Sequence, residues 1–121
     1  MTALALGQQA TVTRTFEADD LASYRRLGGG DAQRETVPEP LIGALFSYLL
    51  GVELPGQGTM YLKQDTHYER SAAVGRAVTA KVTITALRPD KHLVDLDTEC
   101  HDAQSGERIC RGRALVRYDA L

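Results

Sequence analysis

Acid–base chemistry needs a carboxylate or an imidazole held within reach of a partner, and few stretches of this chain offer one. Its three histidines, His67, His92 and His101, fall on segments with strand patterning. No metal-ligand spacing joins them, and Cys100-His101-Asp102 alone is too little to make a site, so they read as exposed strand histidines. Asp31 and Glu35 lie in a polar stretch without periodicity, where an acid commonly caps a turn. Glu39 stands between Pro38 and Pro40 at the head of the most apolar segment of the chain. A carboxylate there suits the positive end of a helix dipole. Two cysteines, Cys100 and Cys110, flank one turn and read as small apolar packers in a reducing compartment rather than as a disulfide framework. Whether they face each other depends on a hairpin register that the sequence leaves open.

The elements that must position these groups follow from periodicity. Residues 9–16 alternate threonine with Ala10, Val12 and Phe16, the period of a strand. Glu17-Ala18-Asp19-Asp20 then open a short helix with Leu21, Tyr24 and Leu27 at helical spacing, ending at the glycine run from Gly28. Residues 28–37 read as a loop. Pro38 to Gly51 is a second helix: proline is tolerated in its first turn, and Leu41 to Leu50 carries no charge on any face. A helix apolar all round is buried all round. In so small a protein that demands a sheet curled about it, or a sheet on one side and a partner on the other.

The rest is β. In residues 58–69, Met60, Leu62, Gln64, Thr66 and Tyr68 share one side; in 76–88, Val78, Ala80, Val82, Ile84 and Ala86; in 92–101, Val94, Leu96, Thr98 and Cys100; in 107–118, Cys110, Gly112, Ala114, Val116 and Tyr118. Arg111, Arg113 and Arg117 take the opposite side of the last strand, as charge does on an edge or near-edge strand. Consecutive strands after two helices indicate an α+β fold with an antiparallel sheet wrapped around the helix 38–51.

The chain has 121 residues, 43% hydrophobic and 25% charged, with a net charge of −2. That is one ordinary globular domain, residues 1–121. The absence of a basic block argues against nucleic acid as a partner. The apolar run from Pro40 to Val52 is shorter than the roughly 20 residues that cross a bilayer, and the first residues lack the cationic start of a signal peptide. No membrane partner is expected and the protein reads as cytoplasmic.

One strand, a short helix, a buried helix and four strands is the order of the hotdog fold, and several local strings strengthen the likeness. Leu45-Phe46-Ser47, Leu49-Leu50-Gly51, Leu54-Pro55-Gly56, Gly58-Thr59-Met60-Tyr61-Leu62, Val78-Thr79-Ala80 and Thr85-Ala86-Leu87 resemble the MaoC-like hotdog family, in particular the (R)-specific enoyl-CoA hydratases of the polyhydroxyalkanoate type. The resemblance covers about four-fifths of the chain. It implies a homodimer with sheets joined edge to edge, acyl-thioester sites at the subunit interface, no cofactor, and reversible hydration of a trans-2-enoyl-CoA to an (R)-3-hydroxyacyl-CoA. The family's carboxylate and imidazole come from an Asp-x-Asn-x-x-His string after the first helix, and a backbone N–H from a His-Gly string before the central one.

This chain departs from both strings. Asp31 aligns with the motif aspartate and Gln33 with its asparagine, but Thr36 falls where the histidine should be, and Pro38-Glu39 replaces His-Gly. Proline brings no N–H, so Glu39 carries the only one between Pro38 and Pro40. The resemblance therefore points to Asp31 and Glu39 as catalytic candidates, with Glu35 behind them. Hotdog thioesterases place an acid near the same helix start as Glu39. Pro40, Leu41, Tyr61, Lys63 and Gln64 are the candidate substrate contacts, and the arginine row is an alternative holder of CoA phosphates. Three activities follow: a hydratase or dehydratase (a lyase) with a rearranged site, a non-catalytic binder of an acyl-CoA or acyl carrier protein thioester or one half of a heterodimer, and a thioesterase using Glu39.

Overall fold

The computed structural model describes residues 3–28 and 36–121. Five strands form one antiparallel sheet: β1 (Gln9–Thr15), β2 (Thr59–Tyr68), β3 (Ala77–Arg88), β4 (Leu93–Asp102) and β5 (Arg108–Tyr118), in the spatial order β1-β3-β4-β5-β2. The helix α1 (Ala18–Arg26) follows β1, and α2 (Glu39–Tyr48) precedes β2. Strands β2 and β3 are consecutive in sequence yet stand at different sides of the sheet. The chain between them crosses the start of α2, with Ala72 buried there.

The α2 helix packs on one face of the sheet, against β3. Ile42, Leu45 and Phe46 are its buried residues, and Leu49 and Leu50 of the helical turn that follows it continue the row, spaced i, i+3, i+4, i+7 and i+8 as one apolar stripe requires. Each such side chain contributes about 1.5–3 kcal/mol on leaving water. They meet the inward rows of the sheet, among them Val78, Ala80, Val82, Ile84, Val94, Leu96, Cys100, Cys110, Ala114 and Val116.

The structure corrects several sequence expectations. Gly51 does not end the helix: a π-helical turn, Leu49–Glu53, continues it, closed by the Leu54 N–H donating to the Leu49 carbonyl at 2.7 Å. The wider turn carries Leu54 into the core beside Leu50. Nor is the helix buried all round, because Pro40, Ala44, Ser47, Tyr48, Gly51 and Val52 are open to solvent. On β2 a bulge between Tyr61 and Lys63 reverses the faces, since one extra residue flips the alternation. Tyr61, opposite Val116, joins Gln64, Thr66 and Tyr68 inside, while Met60 pairs with Arg117 and stays 58% exposed. A second bulge between Ile84 and Ala86 hands the last inward position of β3 from Ala86 to Leu87. Leu27 caps α1 at 88% exposure rather than packing. His92 belongs to no strand: it closes the β3–β4 turn at φ +58°, half-buried, with Nδ1 buried and unpartnered.

The two cysteines do face each other. Cys100 pairs directly with Cys110 across β4 and β5, both thiols free and fully buried. The neighbouring Cys110 sulfur, and burial after it, push the Cys100 thiol up, which keeps it protonated and inert.

Candidate active site at the start of the central helix

Three ties fix the start of α2 against the sheet. Thr36 bridges Ala73, and the Val37 N–H donates to the Ala72 carbonyl at 2.8 Å. The Tyr68 hydroxyl, reaching from β2, donates to the Glu39 carbonyl at 3.1 Å. Burial, with Cys110, Glu39 and Cys100 adding to it, holds that hydroxyl far above the ordinary tyrosine range, so it remains a donor at any working pH.

The first turn of α2 is short of donors for a simple reason. Pro40 has no N–H, and the Leu41 N–H is committed to the Pro38 carbonyl at 3.0 Å. The Glu39 N–H therefore stands at the positive end of the helix beside its own exposed carboxylate. A backbone N–H in that position can polarise a carbonyl, and a carboxylate next to it can take or return a proton.

A polar strip runs inward from the open side of α2. Tyr61 stands at its outer end, and the Tyr61 hydroxyl donates to Gln64 Oε1. Gln64 Nε2 in turn lies 3.1 Å from Thr66 Oγ1 and 3.1 Å from Thr98 Oγ1. Thr98 is fully buried, and Gln64 supplies the partner that such a group needs. Burial raises the Tyr61 hydroxyl pKa, with the nearby Ser47 hydroxyl opposing it. The sequence had placed Gln64, Thr66, Tyr68 and Thr98 on inward rows, yet assigned no role to Tyr68, Ser47, Thr66 or Thr98. Polar residues recurring at period two among apolar neighbours were the available signal.

The other candidates are dispersed. Asp31, Gln33 and Glu35 lie outside the described residues. Lys63 is opposite Leu115 on the outer face of the sheet, near Asp65 at 4.0 Å, on the other side from Tyr61 and Gln64. Pro40 is exposed, and Leu41 lines a groove of 310 Å³ between α1 and α2 with Phe16, Tyr24, Leu45 and Tyr48. His67 and His101 sit opposite Arg111 and Arg108 respectively, on β2 and β4. Among the described residues, no three His, Cys, Asp or Glu side chains gather as a metal site, and no helix is long and apolar enough to cross a membrane.

Known proteins share both the sequence and this architecture. The (R)-specific enoyl-CoA hydratase of Aeromonas caviae is 34% identical over 128 residues, covering 94% of this chain and 95% of that protein. The enzyme of the same name from Rhodospirillum rubrum is 30% identical, over 94% of this chain and 88% of its own. The solved structure of the A. caviae (R)-hydratase involved in PHA biosynthesis superposes with a TM-score of 0.89 at 32% identity, covering 98% of this chain and 99% of that one. No family model matches the chain. Near-complete overlap at this identity, with the five-stranded sheet around α2 reproduced, makes the chain a member of the MaoC-like hotdog dehydratases, in the family of the (R)-specific enoyl-CoA hydratases.

Proposed function

We propose that the protein binds an acyl-CoA or acyl carrier protein thioester at the first turn of α2 and interconverts a trans-2-enoyl and an (R)-3-hydroxyacyl thioester. The observation that carries this reading is the adjacency of the Glu39 N–H and the Glu39 carboxylate at a helix start anchored by Tyr68. The N–H faces the developing enolate oxygen of the thioester. The carboxylate activates the water that adds at C3 and the same proton returns at C2, so a single acid–base group serves both half-steps. Asp31, aligned with the motif aspartate although Thr36 stands at the histidine position, is the second carboxylate of the proposal. Tyr61 and Gln64 line the inner approach to the acyl group, with Pro40 and Leu41 on the helix side.

The proposed assembly is a homodimer joined through the β2 edge. Met60 and Leu62, 58% and 48% exposed on that edge strand, and Tyr48 and Val52, 44% and 61% exposed on the open side of α2, support it. Exposed apolar residues on an unpaired edge strand invite association.

Incubation with crotonyl-CoA, following loss of enoyl absorbance and the chirality of the product, tests the activity. Turnover to the (R)-hydroxy product is expected, falling by about 10²-fold or more in Glu39→Gln. Unchanged turnover in that variant would remove Glu39 from the mechanism.

A second reading is favoured by one observation: His67 and His101 pair across the sheet with arginines rather than with α2 residues. On that reading the chain binds the thioester without turning it over, or completes its site with a histidine from a different subunit. CoA-ester binding without turnover would select it. Release of free thiol would select instead a thioesterase with Glu39 as base.

A further inference from the structure

One sizeable cavity lies away from α2. It occupies 510 Å³ on the outer face of the sheet, across β2, β5 and β4, on the side that holds no helix. Arg111 and Arg113 both project there, two residues apart on β5 and hence about 7 Å from each other along the strand. Their cross-strand neighbours are His67 and Glu99 for Arg111, and Asp65 and Asp97 for Arg113.

The ion pairs of this face leave an imbalance. Glu99 is taken by Lys81 at 3.5 Å, Asp65 lies within 4.0 Å of Lys63, and Arg108 is held by Glu69 through two contacts. Arg111 and Arg113 enter no ion pair and no side-chain hydrogen bond among the described residues, and of the cavity's carboxylates only Asp97 is likewise uncommitted. Two free guanidiniums thus face one free carboxylate, with the His67 imidazole beside them. The backbone between the arginines is held tightly: a Cβ on Gly112 would stand 1.7 Å from the Asp65 carbonyl oxygen, so β2 and β5 are fixed in close approach there.

We propose that this cavity is an anion site for a phosphate-class ligand, gripped by Arg111 and Arg113. A guanidinium offers a planar fork of donors that matches phosphate oxygens two at a time, and two forks at this spacing span one phosphate or two adjoining ones. The ligand is either free phosphate or the phosphorylated nucleotide end of a thioester carrier. The site stands apart from the acyl chemistry at α2, so its test needs no acyl group.

Calorimetric titration of the full chain with inorganic phosphate, and separately with adenosine 3′,5′-bisphosphate, at about 50 mM salt to limit screening, tests it. Saturable binding of at least one is expected. It should weaken by about tenfold or more in the R111Q/R113Q double variant, the equivalent of losing one charge-assisted contact. R25Q, which removes a positive charge from α1, should leave it unchanged. Tighter bisphosphate than phosphate identifies the nucleotide source, and the reverse identifies the free ion. If R111Q/R113Q does not fold, R111K/R113K keeps the charge, loses the fork and should still weaken binding. Absence of saturable binding to the wild type, equal affinity in the arginine variants, or an equal loss in R25Q would overturn the proposal.

Discussion

The two faces of α2 have nearly the same residue chemistry and opposite fates. Toward the sheet, Ile42, Leu45, Phe46, Leu49 and Leu50 are all buried; away from it, Pro40, Ala44, Tyr48 and Val52 are open. Both faces lack charge from Leu41 to Leu50. An apolar face that the chain does cover belongs to folding. One that it leaves uncovered is available to a partner, because an uncharged helix surface does nothing for a protein that stays alone in water.

Substitutions that separate the two faces should differ in kind. On the covered face, Phe46→Ala removes a fully buried ring and is expected to cost about 3–5 kcal/mol in urea unfolding. A loss under about 1 kcal/mol would mean that the face is not packed as described. On the open face, Tyr48→Asp with Val52→Asp should leave the unfolding free energy of the dissociated chain within about 0.5 kcal/mol while sedimentation shifts from dimer to monomer. Retention of the dimer would place the interface elsewhere.

Between the faces sits the tie from Tyr68. Tyr68→Phe deletes one hydrogen bond to the Glu39 carbonyl, expected at about 1 kcal/mol of stability. If the anchored first turn is the reactive one, turnover of an enoyl thioester should fall by more than that stability loss implies.

The smallest effect lies away from α2 and serves as its control. Arg76 holds both carboxylate oxygens of Asp102, and the Ser105 and Gln104 N–H groups add to it, so the Asp102 pKa lies well below the ordinary value. A group depressed in the folded state adds stability above its unfolded pKa, about 3.9, and loses it as pH falls through the folded value. The acid-limb slope of urea midpoints should therefore flatten in Arg76→Gln and be unchanged in the α2 variants.

Most of the fold was legible in the sequence because period two and a charge-free helix leave few alternatives. Val78 to Ile84 and Val94 to Cys100 alternate without interruption, and those rows are buried as their spacing required. The bulges after Tyr61 and Ile84 were not legible: a single inserted residue leaves no compositional mark, and each reversed a face. The π turn escaped for a related reason, since Gly51 carries the ordinary signal of a helix end while the burial of Leu54, a tertiary effect, overrode it. At the site, Glu39 stood out through its flanking prolines. Tyr68 did not, because its role depends on a crossover that brings β2 beneath the start of α2, a contact across 29 residues.

Backbone amide chemical shifts during titration with an acyl-CoA test the central claim most directly, because Glu39 has the only N–H between Pro38 and Pro40. If the first turn of α2 receives the thioester carbonyl, the Glu39 amide should move downfield and saturate with the same dissociation constant as the bulk binding isotherm. A Glu39 amide that stays in place while the acyl-CoA binds elsewhere on the chain would contradict the account.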